Sequence, residues 1–200
     1  MIPLMLEMET ADIHLSDEQF YRLCQVNRDL RLERTAEGKL IIMPPTGWET
    51  GNRNSKLNQR LGNWADKDGR GLVFDSSTGF ILPNGATRSS CGGAVRTPDA
   101  AWVKRERLEA LRPNPERFLP LCPDFAVELR SASDDLNTVR AKMQEYLENG
   151  MQLGWLLDPY NQQVEIYRTG QSVEVLNSPT ELSGETVLPG FVLQLDGILS

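Results

Sequence analysis

The chain has 200 residues, of which 40% are hydrophobic and 24% charged, as is typical of one soluble globular domain. Its formal net charge of −7 argues against strong nonspecific binding to nucleic acid, although a local basic cleft is still compatible with that charge. No apolar run approaches the roughly 18 residues that cross a bilayer, so no membrane segment is predicted.

The N-terminal part of the chain predicts a helix followed by a hairpin. Ser16 and Gln19 occupy the two positions of a capping box, so a short helix that buries Phe20 is expected after Ser16. Strands are expected at Leu30 to Arg34 and at Lys39 to Met43, because a turn signal that includes a glycine separates them.

The middle of the chain predicts one long helix and several short strands. The helix is expected from Trp48 to Lys67, where Leu57, Leu61 and Ala65 form an apolar stripe. The elements expected after it are strands at Leu72 to Asp75, Gly79 to Leu82, Thr87 to Cys91 and Thr97 to Val103, and a helix at Lys104 to Leu111.

The C-terminal half predicts a strand, a helix and further strands. The stretch Pro123 to Arg130 alternates, so that one face is apolar and the other carries Glu128 and Arg130. The elements expected after it are a helix at Leu136 to Asn149, a strand at Leu153 to Leu157, a hairpin at Gln163 to Arg168 and Ser172 to Asn177, and a packed apolar tail at Leu188 to Leu199.

This order of elements predicts an α/β or α+β fold, in which helices flank a mixed central β-sheet. The whole chain, 1–200, is interpreted as one domain. Its core is expected at about 46–160, with an N-terminal helix and hairpin at 14–45 and a C-terminal hairpin and tail at 161–200.

Glu128 and Arg130 are the first candidates for a functional site, because they are charged residues on one face of an otherwise apolar strand. A buried charge is costly unless it is paired, so both residues need a reason to be there. An ion pair on an exposed sheet face is one reason, and the strand taken alone favours it. A metal site with a cationic partner is the other.

Asp99 is a second acid within an apolar strand, and it changes this balance. If its strand neighbours that of Glu128, the two carboxylates converge and repel each other, so that the pair keeps a proton or binds a cation. Mg²⁺ suits such a pair, because it takes oxygen ligands and often uses only one or two carboxylates.

Two cations are expected near the acids. Lys142 lies at the edge of the buried stripe of the following helix, from which its long side chain can reach the sheet. Lysine can release a proton when its pKa falls and arginine cannot, so Lys142 is the better candidate for positioning a water. Arg130 is interpreted as a clamp for a phosphate or a carboxylate.

The cysteines and the histidine exclude other kinds of site. Cys24, Cys91 and Cys122 are far apart, which argues against a disulfide framework and against a zinc site with paired cysteines. The single histidine, His14, excludes a multi-histidine metal cluster. A reduced, cytoplasmic protein is therefore expected.

Pro98-Asp99 followed by Glu128-Leu129-Arg130 resembles the signature of PD-(D/E)XK nucleases, with arginine in the lysine position. Other segments strengthen the likeness by their order and spacing. They are Gly38 to Pro45, Thr97 to Val103, Pro123 to Asp134, Lys142 to Tyr146, Trp155 to Pro159 and Leu188 to Phe191. Together they resemble the Uma family of restriction endonucleases over roughly Gly38 to Phe191.

This resemblance implies a restriction-endonuclease-like core and Mg²⁺-dependent cleavage of phosphodiester bonds, with Mn²⁺ as a substitute ion. Asp99 and Glu128 would bind the metal, and Lys142 would supply the active-site amine from the helix. Glu49 would match an auxiliary acid, although an acid in the first turn of a helix is also favoured by the helix dipole alone.

The hypothesis is therefore a metal-dependent endonuclease that acts on DNA, most plausibly as a homodimer on double-stranded DNA. An alternative is a nuclease-fold module that binds nucleic acid or protein without catalysis, because arginine occupies position 130 and the net charge is acidic. A third option is a hydrolase that uses the same two acids on another substrate.

Overall fold

The computed structural model of the protein describes residues 3–8, 11–83 and 92–200, so the strand expected at Thr87 to Cys91 lies outside the described residues. The helices of this part are α1 (Asp17–Val26), α2 (Trp48–Asp68), α3 (Arg105–Leu111) and α4 (Leu136–Glu148). The strands are β1 (Leu4–Leu6), β2 (Arg31–Arg34), β3 (Leu40–Met43), β4 (Gly71–Asp75), β5 (Phe80–Ile81), β6 (Val95–Arg96), β7 (Ala100–Lys104), β8 (Phe125–Leu129), β9 (Leu153–Asp158), β10 (Gln163–Arg168), β11 (Glu174–Asn177), β12 (Glu181–Ser183) and β13 (Val192–Gln194).

β8, the strand that carries Glu128, lies in one of two compact units. This unit consists of Thr46–Ser76, Pro98–Arg112 and Pro123–Ser200. Its main sheet has six strands in the order β11-β10-β9-β8-β7-β4. β8 and β9 are parallel and the other neighbours are antiparallel. A parallel pair requires a crossover connection, which α4 provides, so the sheet is mixed as the sequence predicts.

The two faces of this sheet have different partners. The apolar face carries Phe125, Val127 and Leu129 of β8, which belong to the main hydrophobic core. α2 and the C-terminal tail pack on this face, so the tail packs down as expected. The residues that they contribute are Leu57, Leu61, Ala65, Leu182, Leu188, Phe191, Leu193, Leu195, Ile198 and Leu199. α4 covers the opposite face, where β8 presents Ala126 and Glu128.

The other compact unit consists of Met1–Pro45, Ser77–Thr97 and Pro113–Cys122. Its five strands pair in the order β1-β3-β2-β6-β5. The predicted hairpin forms between β2 and β3, and the capping box of Ser16 and Gln19 starts α1. Phe20 is fully buried against Leu32, Leu40 and Val95, as the sequence predicts for Phe20.

Arg34 is a fully buried cation in this second unit. Its guanidinium donates to the backbone oxygens of Leu15 and Gly93 and pairs with Asp17 at the start of α1. A buried charge is tolerated when it is paired and its hydrogen bonds are satisfied. Arg34 therefore fixes the start of α1 onto β2.

The strand predicted at Thr97 to Val103 begins later than expected. β7 starts at Ala100, and Asp99 lies in a bend directly before it. Pro98 has no N–H to donate to a ladder, which explains the late start. The short strands β1, β6, β12 and β13 were not predicted, because two or three residues carry no readable alternation. No helix in the described part of the chain is long and apolar enough to cross a membrane.

Candidate active site

Glu128 lies in the middle of the six-stranded sheet, on the face that α4 covers. Only 7% of the residue is exposed. The alternation of β8 places it there, because its apolar neighbours Val127 and Leu129 occupy the other face. A buried carboxylate requires compensation by donors or cations, and the surrounding elements provide both.

Asp99 lies beside the strand that carries Glu128. β7 and β8 pair with Ala100 opposite Val127, so Asp99, in the bend directly before β7, lies next to the end of β8 that carries Glu128 and Leu129. Asp99 Oδ2 also accepts a hydrogen bond of 2.9 Å from the backbone N–H of Leu129. The side chain of Asp99 therefore lies beside the residue that follows Glu128.

Asn58 of α2 holds the backbone of Asp99. Its side-chain amide donates to the backbone oxygen of Asp99 at 2.9 Å, and also to Asn54 one turn earlier. The bend that carries Asp99 is thus anchored to a long helix. Sequence reasoning missed Asn58, because a polar residue in the middle of a helix gives no sign of its partner.

Lys142 and Tyr146 reach Glu128 from α4. Lys142 Nζ lies 3.0 Å from Glu128 Oε1, and the Tyr146 hydroxyl donates to the same oxygen at 2.9 Å. The two donors are four residues apart and so share one helix face. The lysine side chain is 13% exposed and Tyr146 is fully buried. The prediction that the Lys142 amine reaches the sheet agrees with this geometry.

Tyr146 is a second residue whose contact sequence reasoning missed. The apolar stripe of the helix predicts that Tyr146 is buried, and this is correct. The destination of its hydroxyl is set by the tertiary structure. The available signal was the spacing of four residues between Lys142 and Tyr146, which places a second donor beside the first.

Arg130 contacts a different acid from the one nearest in sequence. Its Nη1 lies 2.8 Å from Asp158 Oδ2, at the end of the neighbouring strand β9, and its guanidinium lies 5.8 Å from the centre of the Tyr160 ring. The side chain is 20% exposed. Burial raises the pKa of Asp158, but hydrogen bonds from Asn161 and Arg130 outweigh that effect, so the pKa lies below its ordinary value.

Glu49 lies in the first turn of α2, as predicted, and pairs with Arg53. Its Oε1 is 3.0 Å from Arg53 Nη2, and the Glu49 side chain is 54% exposed. Among the described residues, neither Asp99 nor Glu128 is an ion-pair or hydrogen-bond partner of Glu49. The structure therefore does not bring it into contact with the two acids.

The donor set fits a hard cation that needs few protein ligands. Residues 3–8, 11–83 and 92–200 contain no group of three or more histidine, cysteine, aspartate or glutamate side chains placed to bind a metal. Asp99 and Glu128 offer only carboxylate oxygens. Mg²⁺ prefers oxygen, tolerates one or two carboxylates and completes its shell with waters and substrate phosphates, so the pair suits it.

A second cluster on the same face resembles the first. Glu128 and Glu165 both face Leu156 across neighbouring strands, so they lie in one row of the sheet. Glu165 is 4% exposed, its Oε1 lies 2.8 Å from Arg140 Nε of α4, and its Oε2 accepts from the Tyr167 hydroxyl at 2.6 Å. Burial and the hydrogen bond to Glu165 raise the pKa of Tyr167. The hydrogen bond to Glu165 likewise raises the pKa of Arg140.

Comparison with known proteins agrees with the geometry. A family model described as Uma2, putative restriction endonuclease, matches residues 17–196. No curated protein matches the chain. Among solved structures, the chain is similar to a putative nuclease of the DUF820 group from Anabaena variabilis ATCC 29413, with a TM-score of 0.74 and 19% identity. The alignment covers 92% of this chain and 97% of the other. This likeness establishes the fold, and the predicted mixed, restriction-endonuclease-like fold is confirmed.

Proposed function

Because the chain belongs to the Uma2 family of putative restriction endonucleases, we propose that it is a metal-dependent endonuclease that hydrolyses phosphodiester bonds in DNA. The contact of 3.0 Å between Lys142 and Glu128 carries this proposal. It places an amine from α4 beside Glu128, so the site has a lysine even though arginine occupies position 130. The resemblance to PD-(D/E)XK nucleases and the adjacent position of Asp99 support the same reading.

Asp99 and Glu128 would hold the divalent ion, with Mg²⁺ as the expected species and Mn²⁺ as a substitute. When bound, such an ion lowers the pKa of a water and offsets negative charge on a phosphoryl oxygen. The protein's own residues hold the two carboxylates in place. Asn58 and the N–H of Leu129 fix Asp99, and the contacts from α4 fix Glu128.

Lys142 is proposed as the residue that orients the attacking water and, in its neutral amine form, takes its proton. Its amino group is mostly buried beside Glu128; burial favours the neutral form whereas the carboxylate favours the charged one, and lysine can lose its proton where arginine cannot. Arg130 is proposed to contact the phosphate while it holds Asp158, since a guanidinium has five N–H donors. Glu49 stays a candidate auxiliary acid at the start of α2.

Double-stranded DNA is the proposed substrate, and a homodimer is the proposed assembly, because two related sites can cut both strands of a duplex. Light scattering during size-exclusion chromatography tests the assembly, and a monomeric mass across the working concentration range would contradict it. The cytoplasmic location stays a prediction that rests on the odd, scattered set of cysteines.

A catalytically inactive nuclease-fold module is the second candidate. The observation that favours it is the pairing of Arg130 with Asp158, which engages the residue at the usual lysine position in a contact with β9. Such a module would bind nucleic acid or protein and would not need Lys142 as a base. Cleavage assays separate the two candidates.

The test uses the purified chain, supercoiled plasmid DNA and Mg²⁺ or Mn²⁺, with EDTA as the metal-free arm. Glu128→Gln removes the proposed metal ligand, whereas Glu165→Gln removes the same charge from the similar cluster, in which Val175 occupies the cross-strand position. We expect Glu128→Gln to lose more than the roughly 100-fold that loss of a residue supporting a ligand costs. Glu165→Gln should cleave within a few-fold of wild type per folded molecule.

Two outcomes would contradict the proposal. One is wild-type protein that neither binds divalent ions in calorimetry nor cuts DNA, a result that favours the inactive module. The other is cleavage by Glu128→Gln at the wild-type rate. Circular dichroism of each variant ensures that any loss reflects chemistry and not unfolding.

A further inference from the structure

Tyr146 is a buried phenol that the proposed mechanism does not use as an acid, a base or a ligand. Its ring is fully buried on the face where α4 packs on the sheet, and its hydroxyl donates to Glu128 Oε1. A phenylalanine would fill the same space without a polar atom that has to be satisfied. Because a buried hydroxyl has to be satisfied, Tyr146 and Glu128 depend on each other.

The contact restricts the orientation of a carboxylate. A glutamate carboxylate rotates broadly about its last bond, because that torsion joins an sp³ carbon to an sp² carbon. Tyr146 and Lys142 donate to one oxygen from a single rigid helix, which selects one orientation. A tyrosine side chain has only two torsions, and burial of its ring fixes both of them.

We propose that Tyr146 is a positioning residue for the metal ligand Glu128, an inference that rests on the proposed function. The hydroxyl holds Oε1 so that the carboxylate is set for a cation shared with Asp99 before the cation arrives. Groups that hydrogen-bond to metal ligands orient them, and their loss typically costs about 10–100-fold in metal affinity or activity.

The second cluster provides a matched control. Tyr167 is also buried, and its hydroxyl also donates to a buried glutamate, Glu165, that faces a cation from α4. Val175, and not an acid, lies opposite Glu165 on the outer neighbouring strand. Tyr167→Phe therefore removes the same group from a similar environment in which the cross-strand position holds no acid.

The experiment compares Tyr146→Phe and Tyr167→Phe with wild type in two measurements. Calorimetric titration with Mn²⁺ alone gives the metal Kd without reference to catalysis. Plasmid cleavage over a range of Mg²⁺ concentrations separates metal affinity from the rate at saturating metal. We expect Tyr146→Phe to weaken Mn²⁺ binding by about 10–100-fold and to need correspondingly more Mg²⁺. Tyr167→Phe should match wild type in both measurements.

A double variant tests whether Tyr146 acts through Glu128. The Tyr146→Phe change should have no further effect on Mn²⁺ binding or cleavage when Glu128→Gln is already present. Thermal unfolding of both single variants in EDTA reports the structural cost of each hydroxyl, so a loss of folding is not mistaken for a loss of metal.

The outcomes of these measurements separate the proposed role of Tyr146 from the proposed nuclease function. Wild type that binds Mn²⁺, with Tyr146→Phe binding it equally tightly, overturns the inference and leaves the proposed nuclease intact. Equal weakening by Tyr146→Phe and Tyr167→Phe also overturns it, because both hydroxyls would then act only through general stability. Wild type that binds no divalent ion overturns the proposed function itself.

Discussion

The clusters around Glu128 and Glu165 have the same parts: a buried glutamate, a buried tyrosine and a cation from α4. They lie on one face of one sheet, separated by Leu156. Two differences set them apart. Asp99 lies beside the end of β8 that carries Glu128 whereas Val175 lies opposite Glu165, and the first cation is lysine whereas the second is arginine.

These differences separate a candidate site from a structural ion pair. Arginine binds Oε1 of Glu165 through Nε and a second guanidinium nitrogen, and the Tyr167 hydroxyl donates to Oε2, so both carboxylate oxygens have partners. Lysine contributes a point charge that can lose its proton, and the adjacent acid supplies a reason for a cation to bind. Burial and a tyrosine hydroxyl occur in both clusters, so they do not by themselves indicate a catalytic role.

The largest effect on DNA cleavage is expected when the lysine of the Glu128 cluster is replaced by arginine, the cation of the Glu165 cluster. Lys142→Arg keeps the positive charge beside Glu128 but removes a group able to give up its proton. We expect DNA cleavage to fall by about 10²–10⁴-fold, the range for loss of a general acid or base. Single-turnover cleavage at saturating Mg²⁺ measures it.

Arg140→Lys is the control for that exchange. It weakens the contact with Glu165 and changes nothing near Asp99, so cleavage per folded molecule should match wild type. Retained activity in Lys142→Arg would show that the amine at position 142 acts only as a charge. Equal losses in both variants would remove the distinction between the clusters.

Arg130 and Asp158 form a third ion pair on the same face, and the stability that this pair contributes depends on pH. The pKa of Asp158 is lowered in the folded protein, so the unfolded chain takes up a proton first as the pH falls. The stability from this pair is fully present above the ordinary carboxyl pKa of about 3.8 and is lost as pH falls through the lower folded pKa.

Asp158→Asn should therefore destabilise the protein by about 1–3 kcal/mol at neutral pH, the cost of removing one partner of a buried charged hydrogen bond. Its difference from wild type should shrink as the pH falls below about 4. Urea unfolding at a series of pH values measures both quantities. A difference that is constant down to pH 2 would contradict the assignment of this acid sensitivity to Asp158.

The smallest expected effect comes from building the missing acid into the second cluster. Val175→Asp places a carboxylate opposite Glu165, as Asp99 supplies one beside the end of β8 that carries Glu128. Because Arg140 already satisfies Glu165 and is 44% exposed, we expect only weak binding of Mn²⁺, on the order of millimolar. Calorimetry of Val175→Asp in a Glu128→Gln background measures it, with Val175→Asn as the uncharged control. Equal heats from the two would contradict the importance of the second acid.

The sequence predicted most of the fold because the relevant elements have strong patterns. The helix predicted at Leu136 to Asn149 is α4, and the strand predicted at Leu153 to Leu157 is β9, each within one residue at either end. The start of β7 was wrong by three residues, because Pro98 interrupts the ladder where the composition still favours a strand.

The site was predicted less completely, for a physical reason. Asp99, Glu128 and Lys142 could be proposed as site residues because charge in an apolar pattern is visible along the chain, and their roles stay predictions. The partners of Arg130 and Tyr146 depend on which strand lies beside β8 and on how deeply α4 packs. Arg130 is two residues from Glu128 in sequence, yet its ion pair is with Asp158 on the parallel neighbour.

The supply of the amine from α4 has a consequence for recognising such chains. Glu128 lies on β8, and Lys142 and Tyr146 lie on α4, the next helix along the chain. The three residues therefore belong to one continuous segment of the sequence. A motif search that demands lysine two positions after the glutamate rejects this protein. A search for a strand glutamate followed by a helical Lys-x-x-x-Tyr would retrieve it.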